Sequence, residues 1–172
     1  DLYLNTENKT DDLDKFIILY WNEQVNITVS FKDNETGLNL DDSTVTLSGT
    51  GISEVLSIDN AQFTTIKNTM DFGIGITYLT ITANKTNYKT RTVQFRIEVR
   101  ERETEINKLT LNGESITFIE LQWGNNINLT VTFNDTTFGG LISGANVNLE
   151  GSEYLEVLNE NAGSNEYSLL IK

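Results

Sequence analysis

The chain has 172 residues, 38 % of them hydrophobic, and carries 25 acidic against 12 basic side chains for a net charge of −13. That length suits one large domain or two small ones, and the acidic balance disfavours nucleic acid and anionic membranes as partners. Cys, His and Pro are absent, which removes disulfides, the usual zinc sites and most Ser-His or Cys-His nucleophile systems.

In chain order, the first patterned segment is "DDLDKFIILY" (residues 11–20), the stretch nearest to a helical period. Its later relative "ESITFIELQW" (114–123) reads better as a strand, so both are expected to be strands. Next comes "VNITVSF" (25–31), where Val25, Ile27, Val29 and Phe31 alternate with Asn26, Thr28 and Ser30. Period-2 alternation places the first set on a buried face and the second in water. "TVTLSG" (44–49), "ITYLTITA" (76–83) and "TVQFRIEV" (92–99) follow the same rule and are rich in Thr, Val and Ile, as half-buried pleated surfaces prefer. Turn signals such as "DNETG", "SGTG", "GIG" and "LNGE" separate these runs. The segment "RIEVRERETEINKL" (96–109) lacks Gly, Pro and Ser and alternates in charge, unlike a flexible linker. A stiff joint and a rod of end-to-end domains are expected from it. "INLTVTF" (127–133) then restates the earlier strand.

That restatement is part of a longer repeat. At an offset of 102, Phe16, Leu19, Trp21, Asn26, Thr28, Val29 and Phe31 meet Phe118, Leu121, Trp123, Asn128, Thr130, Val131 and Phe133. Without a gap, 16 of 43 positions are identical between residues 16–58 and 118–160. "TTIK" (64–67) then matches "LLIK" (169–172), after a short insertion around "NAGSN". A duplicated unit fixes domain size before any strand is assigned. The expected fold is all-β, with two tandem antiparallel β-sandwich domains: a complete one at 1–102 and a partial one at 103–172 that lacks its last strands.

The stretch "VNITVSFKDNETGLNLDDSTVTLSGTG" resembles the bacterial and archaeal immunoglobulin-like repeats (Big or invasin-like) of large cell-surface proteins. "GIGITYLTITANKTNYKTRTVQFRIEV" looks like the closing hairpin of that family, and the openings "YWNEQVNITV" and "QWGNNINLTV" are most similar to archaeal surface repeats. Where the family often places Pro, Leu40 and Ile142 stand. The resemblance implies an immunoglobulin-like sandwich in an extracellular or cell-surface protein, with neighbouring immunoglobulin-like domains as its partners. It names no ligand, because such folds host many functions.

Six Asn-x-Thr sequons, at Asn8, Asn26, Asn34, Asn84, Asn128 and Asn134, are candidate N-glycosylation sites of an exported protein. Composition alone would give about three, but all six use Thr, and Asn26 and Asn128 share one repeat position. Trp21 and Trp123 suit either a carbohydrate-stacking platform or the closing of a sandwich end, and the second is preferred because the position repeats with the core pattern. The acids Asp11, Asp12, Asp14, Asp41 and Asp42 lie in loops of the kind that calcium favours. They do not recur in the second unit, so solvated acidic loops are expected, with no metal site and no cofactor. No catalytic residues are expected either, because a duplicated sandwich with scattered carboxylates suggests no unique concave site.

The expected role is therefore a structural module, as in a stalk, surface layer or filament. A glycan- or protein-binding adhesin module is the alternative. The partial second unit leaves two completions open. Residues following Lys172 in a longer protein could finish the fold. Otherwise another chain donates the missing strands into a groove lined by Ile127, Leu129, Val131 and Phe133, as in strand-complemented filaments.

Overall fold

The computed structural model describes residues 1–151, 154–164 and 166–172, and the end of the "NAGSN" insertion, Asn165, lies outside them. The chain divides into two compact units, Asp1–Glu101 and Arg102–Lys172, both built from β-strands. No helix among the described residues is long and apolar enough to cross a membrane.

In unit one the strands are β1 (Leu2–Leu4), β2 (Glu7–Asn8), β3 (Phe16–Tyr20), β4 (Gln24–Val29), β5 (Thr44–Gly49), β6 (Ile52–Val55), β7 (Ser57–Asp59), β8 (Gln62–Asn68), β9 (Gly75–Asn84) and β10 (Arg91–Arg100). A single 3-10 turn, Thr69–Asp71, precedes β9. The strands form two five-stranded sheets, ordered β2-β1-β4-β8-β7 and β3-β10-β9-β5-β6. Alternation does the work expected of it. Val25, Ile27 and Val29 of β4 are buried together with Val45 and Leu47 of β5, Leu79, Ile81 and Ala83 of β9, and Phe95, Ile97 and Val99 of β10. These side chains fill one core between the sheets, so the unit is a β-sandwich. The purely antiparallel expectation needs one correction. β3 runs parallel to β10, with Phe16 beside Arg96 and Tyr20 beside Arg100. The whole of β4 to β9 lies between these two strands, which gives the long crossover that parallel pairing requires.

Unit two contains β11 (Thr104–Leu111), β12 (Ile127–Asp135), β13 (Asn148–Gly151), β14 (Tyr154–Val157), β15 (Asn159–Asn161) and β16 (Glu166–Ile171). Its four-stranded sheet, β11-β12-β16-β15, reproduces β1-β4-β8-β7 of unit one. Among the described residues its second sheet consists of the hairpin β13-β14, the counterpart of β5-β6. A smaller core results, formed by Leu129, Val131, Val147, Leu158 and Tyr167.

The repeat also reaches further back than the gapless alignment at offset 102. "LYLNTE" (2–7) matches "LTLNGE" (109–114). Leu4 pairs with Ile27, and Leu111 with Leu129, at equivalent places. Asn5 and Asn112 both adopt positive φ (49° and 52°). The Asn5 Oδ1 accepts the Asn26 N–H at 2.7 Å, and the Asn112 Oδ1 accepts the Asn128 N–H at 2.7 Å. Asn tolerates the left-handed region better than most residues, so one turn geometry is written twice. A loop five residues shorter in unit two hid the match.

Candidate functional site

The residues around the two tryptophans separate the units most sharply. In unit one, Trp21 packs against the core and its backbone N–H donates to the Arg100 carbonyl at 2.9 Å. The turn after β3 is held by Thr69, which is fully buried. Its hydroxyl donates to the Tyr20 carbonyl at 3.0 Å and accepts the Glu23 N–H at 3.0 Å. Its own N–H donates to the Glu23 carbonyl at 2.8 Å. Unit two has no counterpart of Arg100 or of Thr69 among its residues. Its segment 115–126 forms no strand, contrary to the expectation for "ESITFIELQW". β3 pairs with β10 along its length, and residues 115–126 have no such neighbour among the described residues. Phe118 is accordingly 72 % exposed and Trp123 is fully exposed at 103 %.

The other border of the same flank is β13. In unit one, β5 pairs with β6 on one side and β9 on the other. In unit two, β13 pairs with β14 only, and its other edge carries no strand among the described residues. The four residues expected to line an acceptor groove lie on β12. This strand is hydrogen-bonded on both sides, to β11 and β16. Leu129 and Val131 are buried there, while Ile127 and Phe133 are half-buried. The unpaired backbone belongs to β13 instead, which the sequence reading did not single out. The signal was available: Val147, Leu149 and Gly151 repeat Val45, Leu47 and Gly49, the residues that face β9.

Unit one also has a cleft of about 690 Å³ between the ends of its two sheets. Leu2, Val29, Ile81, Ala83 and Val93 line it, and Lys15, Lys32, Lys89 and Arg91 contribute cations. That volume is in the range of small-ligand sites.

Of the sequon residues, Asn8, Asn26, Asn34, Asn84 and Asn128 are exposed. The Asn8 Oδ1 accepts the Thr10 N–H at 2.9 Å. The Asn26 Oδ1 accepts the hydroxyls of Thr28 at 3.3 Å and Thr64 at 3.0 Å. Both arrangements use the amide oxygen and leave the amide nitrogen, the atom a glycan attaches to, outside the bond. Asn134 differs: it is half-buried, and its Oδ1 is buried without a hydrogen-bond partner.

Of the five acidic loop residues, Asp12, Asp14 and Asp42 meet cations, and Asp11 and Asp41 are exposed. Asp12 lies 3.6 Å from Lys9, and Asp14 lies 2.8 Å from Arg96, whose guanidinium also stacks over Phe16. Asp42 pairs with Lys85. Their hydrogen bond holds the Asp42 carboxyl below its ordinary pKa and raises that of the Lys85 ammonium. No group of three or more acids positioned for a metal occurs among the described residues.

Fold and site together define an all-β protein of two β-sandwich units, one with both sheets filled and one with an open flank. No family model matches the chain, and a search of curated proteins finds no match.

Proposed function

We propose that this chain is a structural module of an extracellular or cell-surface protein, built from tandem immunoglobulin-like sandwiches in a stalk, surface layer or filament. One observation carries the reading: a single scaffold is written twice, down to its hydrogen bonds. The Asn5 and Asn112 turns match, and so do the loops opened by Asp33 and Asp135. Asp33 Oδ1 accepts the N–H groups of Glu35 and Thr36, and Asp135 Oδ1 those of Thr137 and Phe138. Repetition of a packing unit suits a protein that spans distance, whereas catalysis needs a unique site. The acidic faces favour solubility, and five exposed sequons suit glycosylation.

Protease shaving of intact cells from the native source tests the placement, with mass measurement before and after deglycosylation. Release of the chain by external protease and a mass loss on deglycosylation are expected. A protected chain of bare polypeptide mass would refute the proposal.

An adhesin role is the second reading, favoured by the fully exposed Trp123 and the 690 Å³ cleft of unit one. It requires glycan or protein binding that disappears in Trp123→Ala or on substitution of the cleft cations.

A further inference from the structure

We propose that Asn112 is a site of spontaneous covalent modification, at which the Gly113 backbone nitrogen closes on the Asn112 side-chain carbonyl and expels ammonia. The proposal concerns the turn after β11 alone and is independent of where the protein resides.

Sequence selects the place. The chain has 21 asparagines, and Asn112 is the one that glycine follows. The residue after an Asn must bring its nitrogen against the Asn Cγ, and any Cβ it carries crowds that approach. Glycine has none. The fold then presents the pair. Asn112 (φ 52°) and Gly113 (φ 85°) form the turn between Leu111 and Glu114, which face each other as a bridge. Both turn residues are exposed, so water reaches the reacting atoms. The Gly113 N–H donates to no group among the described residues, which leaves the nucleophile unoccupied. The Asn112 Oδ1 accepts the Asn128 N–H at 2.7 Å. Negative charge develops on that oxygen as the nitrogen adds, and a donor already in place stabilises it.

Solvent hydroxide removes the Gly113 amide proton, and the nitrogen bonds to Cγ. The bond from Cγ to Nδ2 breaks, and the leaving nitrogen takes a proton from water to depart as ammonia. The product is a cyclic imide, which water opens at either carbonyl. Opening at Cγ gives an aspartate. Opening at the main-chain carbonyl gives an isoaspartate, whose backbone runs through Cγ and is longer by a methylene inside the turn. The net change takes up water and releases ammonia, with no oxidation or reduction.

Unit one contains the same turn with this reaction hindered. Asn5 (φ 49°) also accepts a strand N–H, from Asn26 at 2.7 Å, but Thr6 follows it at φ 77°. The branched Thr side chain is stiff and shields the approach to Cγ. Two turns of one geometry thus differ in the residue that supplies the nucleophile.

The test is incubation of the folded 172-residue chain in mildly alkaline buffer, followed by peptide mapping by mass and by isoaspartyl methylation. A parallel sample contains hydroxylamine, which cleaves the imide. Conversion at Asn112 is expected to run several-fold faster than at Asn5 and to rise with pH. Isoaspartate should appear at that position, and hydroxylamine should cut between Asn112 and Gly113. Gly113→Thr should slow conversion to the Asn5 level. Because Thr at that φ can distort the turn, the reciprocal variant is also made. Thr6→Gly relieves a left-handed Thr and should speed conversion of Asn5 several-fold. An Asn112 that stays intact in the folded chain and converts only in urea overturns the proposal. So does equal conversion at Asn5 and Asn112, or a Thr6→Gly chain whose Asn5 remains as slow as in the parent. None of these failures would touch the cell-surface placement, which has its own assay.

Discussion

Asp33 and Asp135 show how much one side chain can dictate. Each closes the loop after its strand by accepting two backbone N–H groups, a local bond pattern at which Asp is well suited. The two then diverge. Asp135 is buried and pairs with Arg102 at 3.0 Å, and that guanidinium stacks over Phe138. Asp33 is half-exposed, and the N–H donors of Glu35 and Thr36 hold its carboxyl below the ordinary range. Because its folded pKa lies below the unfolded one, its contribution to stability is complete at neutral pH. That contribution is lost as pH falls below about 4 and through the folded value. Comparing urea midpoints at pH 6 and pH 3 should therefore show a smaller acid-induced loss for Asp33→Asn than for the parent.

Tyr167 gives a second residue-scale expectation. Its buried hydroxyl donates to the Ile142 carbonyl at 2.9 Å and accepts the Ala145 N–H at 3.0 Å. In unit one the equivalent groups bond directly, Ser43 N–H to the Leu40 carbonyl, and Phe63 occupies the tyrosine's place. Tyr167→Phe leaves two backbone groups without this partner and should cost unit two roughly 1–3 kcal/mol. Amide exchange at Leu129 and Val131 would report it.

At the scale of elements, strand segments were legible where both neighbours lie in the same unit. The alternation in 25–31, 44–49, 76–83 and 92–99 corresponds to β4, β5, β9 and β10 within one or two residues at most ends. "ESITFIELQW" failed for a physical reason: an edge segment becomes a strand only when another backbone satisfies it. No window of its own residues contains that information. The parallel β3–β10 register was illegible for the same reason, since it joins residues some 80 apart in sequence. The match of "LYLNTE" to "LTLNGE", in contrast, was present in the sequence and needed only a gap. As for the candidate site, Trp123 was visible as a residue but its exposure was not, because exposure depends on strands the alignment could not place beside it. The close crossing at Gly49 makes a prediction at this scale. Gly49→Ala forces a methyl against the Tyr78 carbonyl, which cannot move without disturbing the β5–β9 ladder, and should destabilise unit one by about 1–3 kcal/mol. Trp21 emission in a urea titration would measure it.

For the molecule as a whole, the two units are unequal. Sixteen buried hydrophobic residues form the core of unit one, and six of them come from β9 and β10. Five form that of unit two. Buried apolar surface is the main source of folding stability, so unit two should unfold first. Limited proteolysis is expected to cut within residues 115–126 before any site in unit one. Unit one should retain a cooperative transition after that cut. First cleavage inside β4 to β9 would contradict this ordering.

The shortened loop of unit two has a separate consequence. Between the asparagine turn and the Phe-Ile pair, unit one inserts five more residues than unit two, yet the β1–β4 and β11–β12 ladders on which those turns sit keep equivalent pairings. Such a place accepts length without passing it on to the framework. It is where foreign epitopes or affinity tags could be spliced into either copy, and where natural variants of this chain would accumulate extra sequence at least cost to the surrounding sheets.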